Sequence, residues 1–153
     1  MPAQTCQCPC GHTRLEIVGR PLFRILCHCT ICQRFNAAPF ADVVVYDAVA
    51  VQSPTAGCVS FQAYKPPPNV QRGKCKQCGA PAIEVFAAPL FPKLTMVPTP
   101  VHAKLDMLPV PVGHMFYDKR VADVADALPK HLGFLASQGS FVRHLLAAKL
   151  LRG

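Results

Sequence analysis

Nine cysteines in 153 residues, gathered into three tight clusters and one outlier, constrain this chain more than any other feature. The clusters are Cys6-Gln7-Cys8-Pro9-Cys10-Gly11, Cys27-His28-Cys29-Thr30-Ile31-Cys32 and Cys75-Lys76-Gln77-Cys78-Gly79; Cys58 stands apart. An odd number cannot form a fully paired disulfide framework. The start, Met1-Pro2-Ala3-Gln4-Thr5-Cys6, lacks the charged-then-apolar pattern of a secretion signal, so a cytoplasmic protein with reduced thiols is expected. Clustered thiols in that setting point to metal binding or catalysis.

The third cluster is a CxxC followed by glycine, a tight knuckle whose two thiolates point the same way. A structural zinc takes four tetrahedral ligands, so a second pair is needed. Cys8 and Cys10 fit best, because their CxC is also followed directly by Gly11. Either half alone could be a buried or redox pair; together, Cys8, Cys10, Cys75 and Cys78 read as a closed zinc site that staples a small domain. The middle cluster differs. Cys27, Cys29 and Cys32 offer three thiolates, and three protein ligands with an open fourth position are the usual arrangement of a catalytic zinc. Two zinc ions per chain follow. His28 lies between two of these ligands and is expected to point away from the metal. Cys6 has the wrong spacing to Gly11 for a knuckle, and Cys58 reads as a small core residue.

The rest of the chain suits one domain with a modest core. No apolar run approaches the roughly 20 residues of a membrane-spanning helix. The formal charge is +8, of which seven thiolates on two zinc ions would offset about three. The basic residues are scattered, without a Lys/Arg run or basic–aromatic interleaving, so nucleic acid is not an expected partner. Sixteen prolines, dense at Pro66-Pro67-Pro68 and again between Pro89 and Pro111, forbid long helices and favour short strands. Alternating or β-branched stretches predict strands over 13–18, 22–27, 40–46, 58–64 and 82–86, with a weaker one over 113–117. A helical turn is expected over 30–34. A C-terminal helix is expected over 141–151 with Ser140 as its N-cap, its apolar stripe docked on the core or serving a dimer contact.

The pattern CxCG, then CHCxxC, then CxxCG resembles the glutathione-dependent formaldehyde-activating family, which includes the centromere protein V domain. Arg34 with Ala38-Pro39-Phe40-Ala41, Gly79-Ala80-Pro81, His114-Met115-Phe116-Tyr117 and Asp126-Ala127-Leu128-Pro129-Lys130 are further local matches. The resemblance implies an all-β, tent-like fold of short, coiled antiparallel sheets stapled by a structural zinc, with a C-terminal helix added here. Residues 1–135 would form the zinc domain and 136–153 a helical extension of it. The same resemblance assigns Cys8, Cys10, Cys75 and Cys78 to the structural zinc and Cys27, Cys29 and Cys32 to the catalytic one. It also implies a carbon–sulfur lyase activity that joins glutathione to formaldehyde.

On that reading a thiol such as glutathione binds at the open position and adds to a small aldehyde. The developing alkoxide needs a positive or donor neighbour. Arg34 is a candidate for that role or for a glutathione carboxylate. His114, and also His102, are candidates for moving a proton. The alternatives are a non-catalytic zinc-binding interaction module and a redox-responsive zinc protein. One departure stands out: the family commonly has glycine where this chain has Ala37. A glycine there would allow positive φ.

Overall fold

The computed structural model describes residues 3–67 and 69–152; Pro68, inside the triple-proline run, lies outside the described residues. The chain divides into two compact units, one of Met1–Pro21 with Val44–Leu108 and one of Leu22–Val43 with Pro109–Gly153.

In the first unit, β1 (Gln4–Gln7) pairs antiparallel with β2 (Arg14–Ile17), and β2 pairs antiparallel with β3 (Val51–Gln52). The remaining strands here are β4 (Val59–Gln62), β5 (Val70–Cys75), β6 (Pro81–Phe86) and β7 (Leu94–Pro98), a meander of antiparallel neighbours. Val59 sits opposite Cys75, which carries the third cysteine cluster to the end of β5. Alternation along β2 places Leu15 and Ile17 in the core, where Ala82, Ile83 and Val97 join them beside Val44, Tyr46 and Cys6. Glu84 is buried on β6 but lies opposite Arg72, whose Nε donates to it at 2.7 Å. A buried carboxylate persists only with such a partner.

In the second unit, β8 (Phe23–Cys27) leads into the short helix α1 (Thr30–Asn36), and β9 (His114–Met115) runs beside β8. This pairing departs from the antiparallel expectation. It is parallel, with Met115 opposite Cys27, because a long stretch of chain returns to the same end of β8. A further strand, Ala41–Asp47, passes from this unit into the first. Arg24 on β8 donates twice to Asp42, at 2.7 Å each, and once to the Pro109 carbonyl.

The C-terminal helix α2 runs Gly133–Leu150, so it begins well before the expected 141. Ser140 is buried inside it and is not its N-cap; its carbonyl accepts from His144 Nδ1 at 2.8 Å. Gly133, Ser137, Gly139 and Ser140 are poor helix formers, which hid these turns from a propensity argument. The capping bond comes instead from a distant residue: Asp118 Oδ1 accepts the Gly133 N–H at 2.7 Å. Phe141 then packs edge-on against Phe23, ring centroids 5.1 Å apart.

Candidate metal centres

The described residues hold two groups of three or more metal-ligating side chains, each with its ligand atoms within 4.8 Å of one another. One is Cys8, Cys10, Cys75 and Cys78 in the first unit; the other is Cys27, Cys29 and Cys32 in the second. The fold thus brings together the same seven cysteines that spacing groups. All nine cysteines are free thiols.

The four-cysteine group is built from two similar knuckles. Gly11 N–H donates to the Cys8 carbonyl at 2.9 Å, and Gly79 N–H donates to the Cys75 carbonyl at 2.8 Å. Both glycines adopt φ +75°, a left-handed conformation that L side chains rarely take, so each knuckle needs its glycine. Cys8 Sγ lies 3.4 Å from Cys10 Sγ, which in turn lies 3.7 Å from Cys75 Sγ. The buried Thr13 aims its N–H at Cys8 Sγ from 3.3 Å.

The electrostatics of this group suit a cation. Burial opposes ionisation of Cys75, but the Thr13 hydroxyl and the N–H groups of Cys78 and Gln77 outweigh it and bring the thiol down to about 5. The His12 N–H favours a Cys10 thiolate, yet burial and the three neighbouring sulfurs push that thiol up to about 12. Burial opposes ionisation of Cys8 too, but the Thr13 N–H and the Cys10 and Cys78 sulfurs lower that thiol. Some charge therefore forms readily and further charge is resisted. A divalent ion removes that repulsion, and four soft sulfurs at this spacing fit zinc.

The three-cysteine group sits where β8 ends and α1 begins. Cys27 is the last residue of β8 and Cys29 is the N-cap of α1, its sulfur accepting the Cys32 N–H at 3.4 Å. Cys27 and Cys32 are buried and Cys29 is half-buried. The Cys29 sulfur, together with burial, holds the Cys27 thiol up at about 12, against a lowering contact with Cys32. This set also fits a thiophilic ion, with three protein donors.

His28 projects into a buried cluster of rings. It is 1% exposed, and the centroids of Phe40, His114 and Tyr117 lie 4.9–5.2 Å from its own. Its Nε2 lies 2.8 Å from His114 Nδ1. His114 is fully buried, with Nε2 2.8 Å from Asp126 Oδ2. Lys130 Nζ donates to Asp126 Oδ1 at 2.9 Å, and the Leu128 N–H donates to the same oxygen. That ammonium, and then His114, hold the Asp126 carboxyl down at about 2. Sequence reasoning picked out His114 but not its chain of partners. The Asp126…Lys130 spacing carries part of the signal, an acid and a base four residues apart.

The other nominated residues lie in different settings. Arg34 is exposed on α1, and its carbonyl accepts the N–H of Ala37. Ala37 caps α1 at φ 47°, ψ 46°, so the left-handed conformation is kept without the glycine. His102 belongs to the core of the first unit, Nε2 3.0 Å from the Tyr46 hydroxyl and Nδ1 3.1 Å from the Pro98 carbonyl. Cys6 is a core residue, its thiol raised to about 11 by burial. Cys58 is half-buried in a bend just before β4.

A family model described as glutathione-dependent formaldehyde-activating enzyme matches residues 3–119. No curated protein matches the chain. Among solved structures, a Rhodobacter sphaeroides protein from a structural-genomics programme is similar, at 16% identity and a TM-score of 0.52. That likeness covers 69% of this chain and 97% of the other, and it is a likeness of fold.

Proposed function

Because this chain belongs to the glutathione-dependent formaldehyde-activating family, we propose that it is a zinc-dependent carbon–sulfur lyase. On this reading it adds a thiol such as glutathione to a small aldehyde such as formaldehyde. The observation that carries the proposal is the three-sulfur group of Cys27, Cys29 and Cys32, held within 4.8 Å and separate in sequence from the four-cysteine group. Cys27, Cys29 and Cys32 would hold a zinc ion, which when bound would favour the thiolate form of a thiol substrate.

The chain's own residues would do the rest. Cys27, Cys29 and Cys32 hold the metal on a rigid strand–helix junction. The substrate sulfur gives its electron pair to the aldehyde carbon, the carbonyl π pair moves to oxygen, and the thiol proton ends on that oxygen. Arg34, two residues after Cys32 and exposed, would offer a cation to the developing alkoxide or to a carboxylate of the thiol substrate. His114 has both ring nitrogens engaged, so any part it takes in proton movement passes through His28 or Asp126. Cys8, Cys10, Cys75 and Cys78 would hold the structural zinc. The reducing cytoplasm would keep all these thiols available. No described helix is long and apolar enough to cross a membrane.

The test is exchange between formaldehyde, glutathione and their adduct, followed by NMR with zinc-loaded protein. Exchange faster than the spontaneous rate, abolished by Cys29→Ala, is expected. No acceleration by protein carrying both zinc ions would sink the lyase reading.

A further inference from the structure

Three side chains of the second unit form one hydrogen-bonded line that ends at His28, the residue between Cys27 and Cys29 in sequence. It runs from Asp126 Oδ2 to His114 Nε2 and from His114 Nδ1 to His28 Nε2, each step 2.8 Å. His28 and His114 are 1% and 0% exposed, so water does not compete for these bonds. The outer end sets the polarity. A carboxylate only accepts, so His114 Nε2 carries the hydrogen. An imidazole with its one hydrogen on Nε2 accepts at Nδ1, so His28 Nε2 carries the next hydrogen. The His28 backbone is held as well: its N–H donates to the Met115 carbonyl at 2.9 Å, and its carbonyl accepts from Gln33 Nε2 at 2.6 Å. Asp126 and Lys130 lie beyond the residues the family model matches.

We propose that Asp126, acting through His114, locks His28 as its Nε2–H tautomer and thereby fixes the Cys27 and Cys29 sulfurs on either side. Asp126 and His114 are then positioning residues for the three-cysteine site, and their purpose rests on that site binding zinc. The hold on Cys27 and Cys29 passes through the His28 backbone between them, and loss of outer groups that orient metal-binding residues weakens metal retention.

Asp126→Asn tests this sharply. Oδ1 already accepts from Lys130 and from the Leu128 N–H, so the asparagine oxygen stays there. Its NH₂ group then faces His114 Nε2, which must accept. His114 becomes Nδ1–H and donates to His28 Nε2, and the His28 proton moves to Nδ1. Nitrogen-15 NMR of the imidazole rings reads both tautomers directly. A chromogenic chelator reads zinc loss from the three-cysteine site. The wild type should show Nε2–H on both rings. Asp126→Asn should show Nδ1–H on both and lose that zinc about tenfold faster. Lys130→Met keeps the carboxylate on His114 and should keep the wild-type tautomers.

Wild-type His28 protonated at Nδ1 overturns the proposal. So do unaltered tautomers in Asp126→Asn, a flip in Lys130→Met, or flipped tautomers with unchanged zinc loss. Wild-type protein with the expected tautomers that never takes up a second zinc sinks the zinc reading, and with it the relay's purpose. Normal zinc uptake with the wrong tautomers sinks the relay alone.

Discussion

Ser137 Oγ, 1% exposed on α2, accepts the backbone N–H of Phe116 at 2.8 Å. Phe116 holds φ 54°, ψ 41°, a left-handed conformation that costs a bulky residue about 1–2 kcal/mol. The bond therefore stabilises a strained residue two positions from His114. It also ties a helix outside the family match to the strand that carries the relay. Ser137→Ala should destabilise the protein by about 1–3 kcal/mol in urea unfolding, because the N–H loses its partner. The Phe116 amide should also exchange faster with solvent. Unchanged stability and exchange would show that the bond restrains nothing.

Ala37 makes the opposite case. It ends α1 in the left-handed region without the glycine that such a cap prefers. Ala37→Gly relieves the backbone strain but gives the unfolded chain more freedom. The first effect is the larger, so a gain of about 0.5–1 kcal/mol in unfolding free energy is expected. A loss would mean that the alanine methyl group makes packing contacts worth more than the strain.

The two cysteine groups were legible because metal-ligand chemistry imposes spacing on the chain itself. Two knuckles and a CHCxxC leave few ways to group seven sulfurs. A strand with clear alternation, Arg14–Ile17, and one rich in apolar residues, Pro81–Phe86, were legible for a similar local reason. Val70–Cys75 was not, since its Gln, Arg, Gly and Lys acquire strand geometry only by pairing with neighbours on both sides. The first turns of α2 were hidden because Asp118, far away in sequence, supplies the cap. The relay was hidden for the same kind of reason: His28, His114 and Asp126 meet only after β8 and β9 pair.

Asp126 links the relay to acid stability. Its folded carboxyl, held down at about 2, lies below the ordinary value of about 3.9, first through Lys130 and then through His114. A depressed folded pKa adds stability above the unfolded pKa, and that stability is lost as pH falls through the folded one. Asparagine does not titrate here. Asp126→Asn should thus be less stable than wild type at neutral pH, by an amount that holds down to about pH 5 and shrinks between about pH 4 and pH 2. Urea midpoints of both proteins across that range measure the gap. Measured with both proteins stripped of the more labile zinc, the difference reports the carboxylate and not metal loss. A gap that widens on acidification would contradict the ion pair.

The two cysteine groups should respond differently to metal removal. Cys8 and Cys10 lie 65 or more residues away from Cys75 and Cys78, so a metal there closes a long stretch of chain. Structural zinc binding is worth roughly 10–16 kcal/mol in small zinc domains, comparable to the whole stability of about 5–15 kcal/mol of a typical fold. Cys78→Ala should therefore unfold the domain. The cysteines of the other group lie within six residues of one another, at a junction already held by β8–β9 pairing and by α1. Cys29→Ala should keep the circular dichroism of the wild type and hold one zinc per chain in place of two, by elemental analysis. A mild chelator should likewise remove one zinc without loss of structure, and a stronger one should remove the second together with the fold. If Cys29→Ala unfolds the protein as badly as Cys78→Ala, the division into a closed structural site and an open reactive one is wrong.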